Sequence, residues 1–361
     1  MGLCLSGGGY RAMLFHLGAL WRLNEAALLP GLDRISSVSA GSIAAGVLGL
    51  RWLELEFRHG VASRFDELVA APLRALAGWT IDEGAILSGA LLPGAIAERL
   101  EAALRDHLFG DATLQDLPRD SEGPRFVINA TSVQTGSLWR FSRPFMADWR
   151  VGRFLEPRVP LAFAVAASSA FPPVLSPARL RLVPGIYTGV EPAELFGPPF
   201  DSEAVLTDGG VYDNLGLETV WKRYSTVLVS DGGGRLEPEG DPKRDWARHA
   251  LRVHEIVDNQ VRSLRKRQLI GSFRAGYRRG TYWSIRCDPA DYGVPSLASG
   301  EVTAGLAGVK TRLEAMDERL QERLVNWGYA ACDVALRAHV RPGLPLPASF
   351  PYPGSPLDGR P

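Results

Sequence analysis

The sequence predicts an α/β layered fold in which a central, mostly parallel sheet is flanked by helices. Two short segments, residues 2–5 and 34–38, read as strands, the first of them buried. Each is followed closely by residues with helical spacing, over about 11–27 and 42–50. Strand, helix, strand and helix in this order, with buried strands, are typical of parallel strands joined by crossover helices.

The rest of the chain adds elements of both kinds. Residues 53–108 are mostly helical in pattern, with interruptions near Gly78 and Pro93. A hairpin is predicted for residues 125–131 and 137–142. Later elements are expected in this order: a helix over 161–170 that stops before Pro172 and Pro173, strands over 205–206 and 226–229, a helix over 245–276, a strand over 281–286 and a helix over 302–339.

The domain organisation is expected to be simple, since neither an internal repeat nor a low-complexity linker is visible. We expect residues 1–234 to form the core and residues 235–341 a helical C-terminal part packed on it. Residues 342–361, rich in proline and glycine, are expected to form an extended tail.

Composition excludes several classes of protein. Hydrophobic residues make up 46% of the 361 residues, which excludes wholesale disorder. Forty basic residues balance forty acidic ones, so no nucleic-acid partner is expected. Cys4, Cys287 and Cys332 are too few and too scattered for a disulfide framework or a zinc site, so we expect no metal and a reducing, cytoplasmic compartment. Neither a signal peptide nor a membrane-spanning helix is expected.

The first candidate site is the glycine loop, Ser-Gly-Gly-Gly-Tyr-Arg at residues 6–11, between a strand and a helix. Adjacent glycines let several backbone N–H groups face one point, and the helix N-terminus adds partial positive charge. Such a loop binds a phosphate, a carboxylate or a catalytic oxyanion. It also fits a dinucleotide fingerprint, but Glu25 and Asp33 precede the second strand instead of following it.

The second candidate site is Ser39 in the segment Ser-Val-Ser-Ala-Gly at residues 37–41. A serine on a sharp turn from strand to helix exposes its hydroxyl, and the crowded backbone there requires small neighbours. Ser37 stands where the usual G-x-S-x-G pattern has glycine. The alternative is that these serines only cap or pack the helix.

The third candidate site is an aspartate on a glycine turn after an apolar run. Asp208-Gly209-Gly210 has this form, and Asp231 with its following glycines has it too. The carboxyl ends of strands are where open α/β sheets place their sites. The residues alone do not choose between the two aspartates. Because none of the six histidines has a catalytic context, a carboxylate is the candidate base for Ser39.

Together these sites resemble the patatin-like phospholipase family. The resemblance covers about residues 2–234 and includes a fourth segment, 166–172, a run of small residues that ends in proline. It implies a patatin-like fold. It also favours Asp208 over Asp231, because Tyr212 and Asn214 continue the family pattern after the first aspartate only.

By this resemblance Ser39 is the nucleophile and Asp208 its general base. The implied roles of the other motif residues group into three sets: an oxyanion hole from the backbone of Gly7, Gly8, Gly9 and Arg11, a nucleophile elbow of Ser37, Ala40 and Gly41, and a base motif of Gly209 and Gly210. The Arg11 side chain is expected to brace the loop.

The resemblance implies a serine lipid acyl hydrolase that cleaves fatty-acyl esters, of the phospholipid or lysophospholipid class, through an acyl-serine intermediate and without a cofactor. Three alternatives stay open: an acyltransferase or thioesterase on the same dyad, a phosphate- or nucleotide-binding protein, and a silent scaffold. Oligomeric state is not predicted.

Two surface features are candidates for lipid contact. Residues 85–97 and 144–146, with Trp149, are candidates for an acyl channel or a membrane-facing rim; ordinary core packing is the alternative. A basic cluster lies within 262–267 and is a candidate for attracting anionic headgroups of a peripherally contacted membrane. Its alternative is a solvated helix face.

Overall fold

The computed structural model describes residues 1–81, 95–173, 175–234 and 236–357. The strands are β1 (Gly2–Leu5), β2 (Arg34–Val38), β3 (Phe57–Arg58), β4 (Val61–Ala62), β5 (Arg125–Ser132), β6 (Leu138–Phe141), β7 (Phe145–Asp148), β8 (Gly152–Leu155), β9 (Ala178–Arg181), β10 (Gly189–Pro192), β11 (Glu203–Asp208), β12 (Thr226–Asp231) and β13 (Arg279–Ser284). The α-helices are α1 (Gly9–Glu25), α2 (Ala40–Arg51), α3 (Ala71–Ala77), α4 (Ala95–Leu104), α5 (Leu161–Ser168), α6 (Gly210–Asp213), α7 (Glu218–Trp221), α8 (Trp246–Arg274), α9 (Gly300–Ala307) and α10 (Glu318–His339).

Short helical turns of other types connect these elements. A π-helical turn, Asp66–Ala70, leads into α3, and another, Arg105–Phe109, follows α4. Single 3₁₀ turns lie at Leu29–Gly31, Trp52–Glu54, Leu114–Asp116, Pro184–Ile186 and Pro289–Tyr292. In the part of the chain described here, none of the helices combines the length and the apolar content needed to cross a bilayer.

One mixed sheet organises the fold, in the strand order β10-β8-β7-β6-β5-β2-β1-β12-β13. The five strands from β5 to β13 along this order are mutually parallel, while β6, β7, β8 and β10 extend the sheet with antiparallel pairs. The central strands are buried on both faces, as is usual for parallel strands that helices cover. The predicted α/β fold class, with a mostly parallel centre, is confirmed.

The last helix packs directly against the first one. A Cβ on Gly18 of α1 would lie 1.8 Å from the carbonyl oxygen of Val325, and one on Gly328 of α10 would lie 1.8 Å from that of Phe15. Both positions therefore require glycine for the backbones to approach this closely. Residues after 235 also supply β13, which pairs with β12 in the central sheet. The predicted division at residue 234 stays a prediction.

Two predicted helical stretches are corrected. Within residues 53–108, β3 and β4 form a small antiparallel pair instead of helix, because His59 and Gly60 take positive φ angles of 50° and 84° and turn the chain. Residues 82–94 lie outside the described residues.

The predicted helix over 302–339 is broken into α9 and α10. The segment between them packs against the start of α1, where the Tyr10 N–H donates to the Arg312 carbonyl at 3.0 Å.

Candidate active site

A cavity of about 660 Å³ lies where the chain leaves β1, β2 and β12 at their carboxyl ends. Its wall includes Ser39, Asp208 and two of the three loop glycines, Gly8 and Gly9. The edge at which parallel strands end is the usual position for a site in an open α/β sheet. The structure therefore brings residues from three separate sequence motifs to one cavity.

Ser39 occupies a sharp turn between β2 and α2. Its backbone takes φ 53° and ψ −126°, outside the helical and strand regions, and its N–H donates to the Ser168 hydroxyl at 2.9 Å. The turn is crowded, since a Cβ on Gly41 would lie 2.5 Å from the Leu5 carbonyl oxygen. A non-glycine residue held at positive φ stores roughly 1–3 kcal/mol of strain, a feature that clusters at functional sites.

A buried network of hydroxyl groups supports this turn from below. The Ser42 hydroxyl donates to the Ser37 hydroxyl at 3.0 Å, and the Ser168 hydroxyl donates to the Asn129 carbonyl at 2.6 Å. The Asn129 amide in turn donates to the Ser37 carbonyl at 2.8 Å. Ser37, which replaces the usual glycine, is thus accommodated as a hydrogen-bonded part of the support.

Asp208 reaches the cavity from the antiparallel side of the sheet. It ends β11, whose residues pair antiparallel with the last residues of β5, with Asp208 opposite Ala130. Its N–H donates to the Ala170 carbonyl at 2.9 Å, and the Gly209 N–H donates to that of Ser168 at 3.2 Å. The last residues of α5 and the small-residue segment after it therefore hold the aspartate in place at the end of a strand, where the sequence predicts it.

Burial raises the pKa of the Asp208 carboxyl to about 7. Hydrogen bonds from the Gly210 N–H, at 2.6 Å to Oδ1, and from Ser39 offset part of this rise, while the negative charge of Asp258 adds to it. A carboxylate with such a pKa is basic enough to accept the proton of a serine hydroxyl near neutral pH.

The glycine loop meets the cavity at Gly8 and Gly9, whose φ angles are 144° and 64°. A Cβ on Gly9 would lie 2.6 Å from the Arg312 carbonyl oxygen, so only glycine fits there. Gly7 lies against Ser39, but its N–H donates to the Asn214 carbonyl at 3.2 Å. The Arg11 side chain is buried, and its Nη2 donates to the Gly232 carbonyl at 3.1 Å, so it braces the loop. The structure thus brings Gly8 and Gly9 to the cavity wall, but not Gly7 or the Arg11 side chain.

Asp231, the second candidate base, is engaged elsewhere. Its Oδ1 accepts from the Gly233 N–H at 2.9 Å, and its Oδ2 accepts from the Tyr282 hydroxyl at 2.7 Å. It is not among the described residues that line the cavity. Its geometry is that of a side chain that fixes the turn after β12.

A family model described as patatin-like phospholipase matches residues 3–221, more than half of the chain. The chain belongs to the patatin-like phospholipase family. The description of this family names a phospholipase, a class of enzymes that hydrolyse lipid acyl esters. No curated protein sequence gives a significant match.

Solved structures align with this chain at low sequence identity. Human GIVD cytosolic phospholipase A2, in complex with methyl γ-linolenyl fluorophosphonate, aligns with a TM-score of 0.50 and 14% identity over 92% of this chain and 56% of that one. VipD from Legionella pneumophila aligns with a TM-score of 0.38 and 15% identity over 94% of this chain and 67% of that one. The patatin-like chain thus spans less than two thirds of the length of the phospholipase A2.

The raised pKa of Asp208 predicts the pH dependence of this patatin-like chain. If Asp208 is the base, kcat should rise with pH and reach half its maximum near pH 7, because only the ionised carboxylate accepts the serine proton. At pH 5 the ionised fraction, and with it kcat, should be roughly a hundredfold lower than at pH 9. Initial rates at saturating ester between pH 5 and 9 test this. A flat profile down to pH 5 would contradict it.

Two histidines, for which the sequence shows no catalytic context, lie at or near the candidate site. His16 is fully buried, its Nδ1 lies 2.8 Å from the Ser230 hydroxyl and its Nε2 lies 2.9 Å from the Ser6 carbonyl. Burial lowers the pKa of His16 to about 4, so it is a neutral anchor of the glycine loop. His254 of α8 lines the cavity and stacks on Phe171, with ring centroids 6.5 Å apart.

Several cavity residues were not predicted from the sequence as parts of the site. Asn214 lies between the glycine loop and the base motif, since its Oδ1 is 2.5 Å from the Cβ position of Gly7 and 2.8 Å from that of Gly210. Its place in the family pattern was the only signal. Ser169 also lines the cavity, and its buried hydroxyl has no hydrogen-bond partner in the described part of the chain.

The segments predicted to contact lipid lie mostly away from the described wall of the cavity. Most of the segment 85–97 lies outside the described residues. Residues 144–146 and Trp149 are not among the described residues that line the cavity. Of the basic cluster, Arg262 does line it, and its guanidinium hydrogen-bonds the Gly234 carbonyl.

Proposed function

We propose that this chain is a serine lipid acyl hydrolase that cleaves fatty-acyl esters of the phospholipid or lysophospholipid class, with Ser39 as nucleophile and Asp208 as general base. The observation that carries the proposal is the meeting of these two side chains in one cavity, with the Asp208 carboxyl buried and its pKa raised to about 7. Family membership supports the reaction class, and the geometry supports the assignment of roles.

The first half of the reaction forms an acyl-enzyme. Ser39 Oγ attacks the ester carbonyl carbon while Asp208 accepts the hydroxyl proton. Backbone N–H groups of Gly8 and Gly9 stabilise the negative oxygen of the tetrahedral intermediate, and each such donor is worth about 3 kcal/mol of barrier. When the intermediate collapses, the C–O bond to the alcohol breaks, and Asp208 returns the proton to the leaving oxygen.

The second half releases the fatty acid. Water attacks the carbonyl carbon of acyl-Ser39 and gives its proton to Asp208, so the same carboxylate serves twice. Collapse of this second intermediate breaks the bond to Ser39 Oγ, which takes the proton back. Fatty acid leaves and the dyad is restored without a cofactor.

The cavity wall suits an acyl chain with a polar end. Apolar contacts come from its described wall residues Phe171, Pro172, Pro173, Leu175, Leu236, Leu251 and Leu313. Charges of both signs, from Arg252, Arg262, Arg312, Glu237, Glu255 and Asp258, also line it. A volume of about 660 Å³ lies within the range of sites that enclose one small ligand. A lipid with one or two acyl chains and a charged headgroup matches this division.

The proposed setting is the cytoplasm, with peripheral contact with a membrane that presents the lipid. Cys4, Cys287 and Cys332 are all free thiols, which fits a reducing compartment. Contact with a lipid surface is required chemically, because long-chain acyl esters reside in membranes and not in free solution.

Product analysis tests the proposed function. The chain is incubated with a fatty-acyl 4-nitrophenyl ester, a lysophosphatidylcholine and an acyl thioester, with and without an added alcohol, and free fatty acid is measured. We expect fatty acid from both oxygen esters in water. Acyl transfer to the alcohol in preference to water, or cleavage of the thioester alone, would reassign the activity. An absence of turnover together with an ATP- or NAD-dependent rise of the melting temperature would contradict the proposal.

A further inference from the structure

The long helix α8 leaves an apolar stripe uncovered. Of its 29 residues only Leu269 and Ser272 are buried. The exposed fractions of its apolar side chains are large: Trp246 85%, Val253 45%, Val257 55% and Leu264 58%. These four residues are spaced by seven, four and seven positions, so they fall on one narrow face about 27 Å long. Single exposed apolar residues are ordinary, but an aligned set indicates a contact surface.

The opposite face of the same helix forms one wall of the candidate active site. Leu251, His254, Glu255, Asp258 and Arg262 of α8 all line the cavity. Phe171, which stacks on His254, lies at the same wall and is 47% exposed. The helix that carries the apolar stripe therefore also borders the cavity in which the substrate would bind.

Charge indicates what kind of surface covers the stripe. The helix carries seven basic and two acidic side chains, whereas the whole chain has a formal net charge of zero. Some of these cations have acidic partners: Arg248 pairs with Asp245, Arg252 with Glu239 and Glu255, and Arg265 with Asp213 and Glu218. Arg267 stays exposed three positions after Leu264 and bonds the Ser263 carbonyl, whereas Lys266 lies over the Tyr282 ring on the side of the helix that faces the sheet.

We propose that the stripe of Trp246, Val253, Val257 and Leu264 is a docking surface for an anionic lipid bilayer. The helix lies in the plane of the headgroups, its apolar side chains enter the acyl boundary, and Arg267 beside the stripe reaches lipid phosphates. This inference rests on the proposed function and names the element that would deliver lipid to the cavity. A second copy of the helix is disfavoured as the occupant, because two such basic helices would repel each other.

Sedimentation with vesicles tests the docking surface without any use of activity. The full chain is mixed with vesicles of phosphatidylglycerol and phosphatidylcholine, or of phosphatidylcholine alone. We expect binding to the anionic vesicles and at least about tenfold weaker binding to the neutral ones. The double variant Val257→Asp with Leu264→Asp should bind anionic vesicles at least about tenfold more weakly than the unmodified chain, since two apolar side chains would no longer enter the bilayer.

A matched control is available on other surfaces. Leu53 and Val133 are 66% and 56% exposed, so Leu53→Asp with Val133→Asp makes the same chemical change away from α8. The control should bind vesicles like the unmodified chain, and both double variants should keep its melting temperature, because all four side chains are exposed. Equal loss in both variants, or no loss in the α8 variant, would overturn the proposal.

The remaining outcomes separate this proposal from the function. Hydrolysis of a water-soluble short-chain ester should be the same in the unmodified chain and in the α8 variant. Vesicle binding without hydrolysis of any ester would contradict the proposed function and leave the docking surface standing. Hydrolysis without vesicle binding would overturn the docking surface alone. A concentration-dependent dimer that the α8 variant abolishes, without vesicle binding, would assign the stripe to a second copy.

Discussion

Replacement of Asp208 by asparagine is expected to lower kcat by at least about 10³-fold while the chain stays folded. An amide cannot accept the proton of Ser39, yet it has the size of the carboxylic acid and keeps an oxygen to accept the Gly210 N–H at the 2.6 Å now seen. Steady-state kinetics on a soluble ester, with circular dichroism as the check of folding, measure the effect.

Two matched variants test whether the base is assigned correctly. Asp231→Asn makes the same chemical change at the other glycine turn and should keep most of the turnover, because Asp231 bonds Gly233 and Tyr282 outside the cavity wall. His254→Gln removes the histidine that does line the cavity and should also keep most of it. A larger loss in either variant than in Asp208→Asn would move the base to that residue.

Asp208→Asn should also raise the free energy of unfolding above neutral pH. The folded state holds the Asp208 proton more tightly than the unfolded chain does, with a pKa of about 7 against 3.8. The free energy of unfolding therefore falls as the pH rises from about 4 to 7, by roughly 2–4 kcal/mol. Asp208→Asn should be more stable than the unmodified chain at pH 8 and equal to it near pH 4. Urea denaturation at both pH values measures this, and equal stability at pH 8 would contradict the buried, ionised carboxylate.

Replacement of Ser39 by alanine is expected to lower kcat by at least about 10⁴-fold, because no other group takes over the nucleophilic attack. Alanine has the same Cβ as serine and should keep the strained backbone, with φ 53° and ψ −126°. The variant should therefore bind substrate with little change in affinity. Ser202→Ala, at an exposed hydroxyl that bonds the Pro199 carbonyl, is the matched control and should be fully active.

Replacement of Ser39 by glycine tests the backbone strain at this turn separately from the loss of the nucleophile. Ser39→Gly should be as inactive as Ser39→Ala, yet more stable by about 1 kcal/mol, because glycine tolerates positive φ. Thermal denaturation of the two variants gives this difference directly. If the Ser39→Ala and Ser39→Gly variants are equally stable, the turn at Ser39 is not strained.

Local pattern predicted the elements that position the dyad. The segments 2–5 and 34–38 are buried on both faces of the sheet, and the alternation of short strands with helical patterns predicted them as strands. The sharp turn at Ser39 was predicted because its neighbours in the sequence are small. The structure shows why they must be, since Gly41 lies against the Leu5 carbonyl. The choice of Asp208 over Asp231 was not available from local chemistry, since both aspartates precede glycines after a strand. It depended on the resemblance to a family.

Long-range packing decided what the sequence did not predict. The break between α9 and α10 follows from contacts of residues 309–313 with the glycine loop, about 300 positions earlier in the chain. The cavity wall from α8 was also missed, because the residues of that helix look like a solvated surface until the tertiary fold places them over Ser39. The antiparallel approach of β11 depends on its pairing with β5 and β9, which no local pattern encodes.

Labelling with an alkyl fluorophosphonate, followed by peptide mapping, shows which serine of the folded chain is an activated nucleophile. We expect one adduct per chain, on Ser39, that is absent from Ser39→Ala and forms much more slowly in Asp208→Asn. An adduct on another serine, such as the cavity residue Ser169, or undiminished labelling of Ser39→Ala, would contradict it.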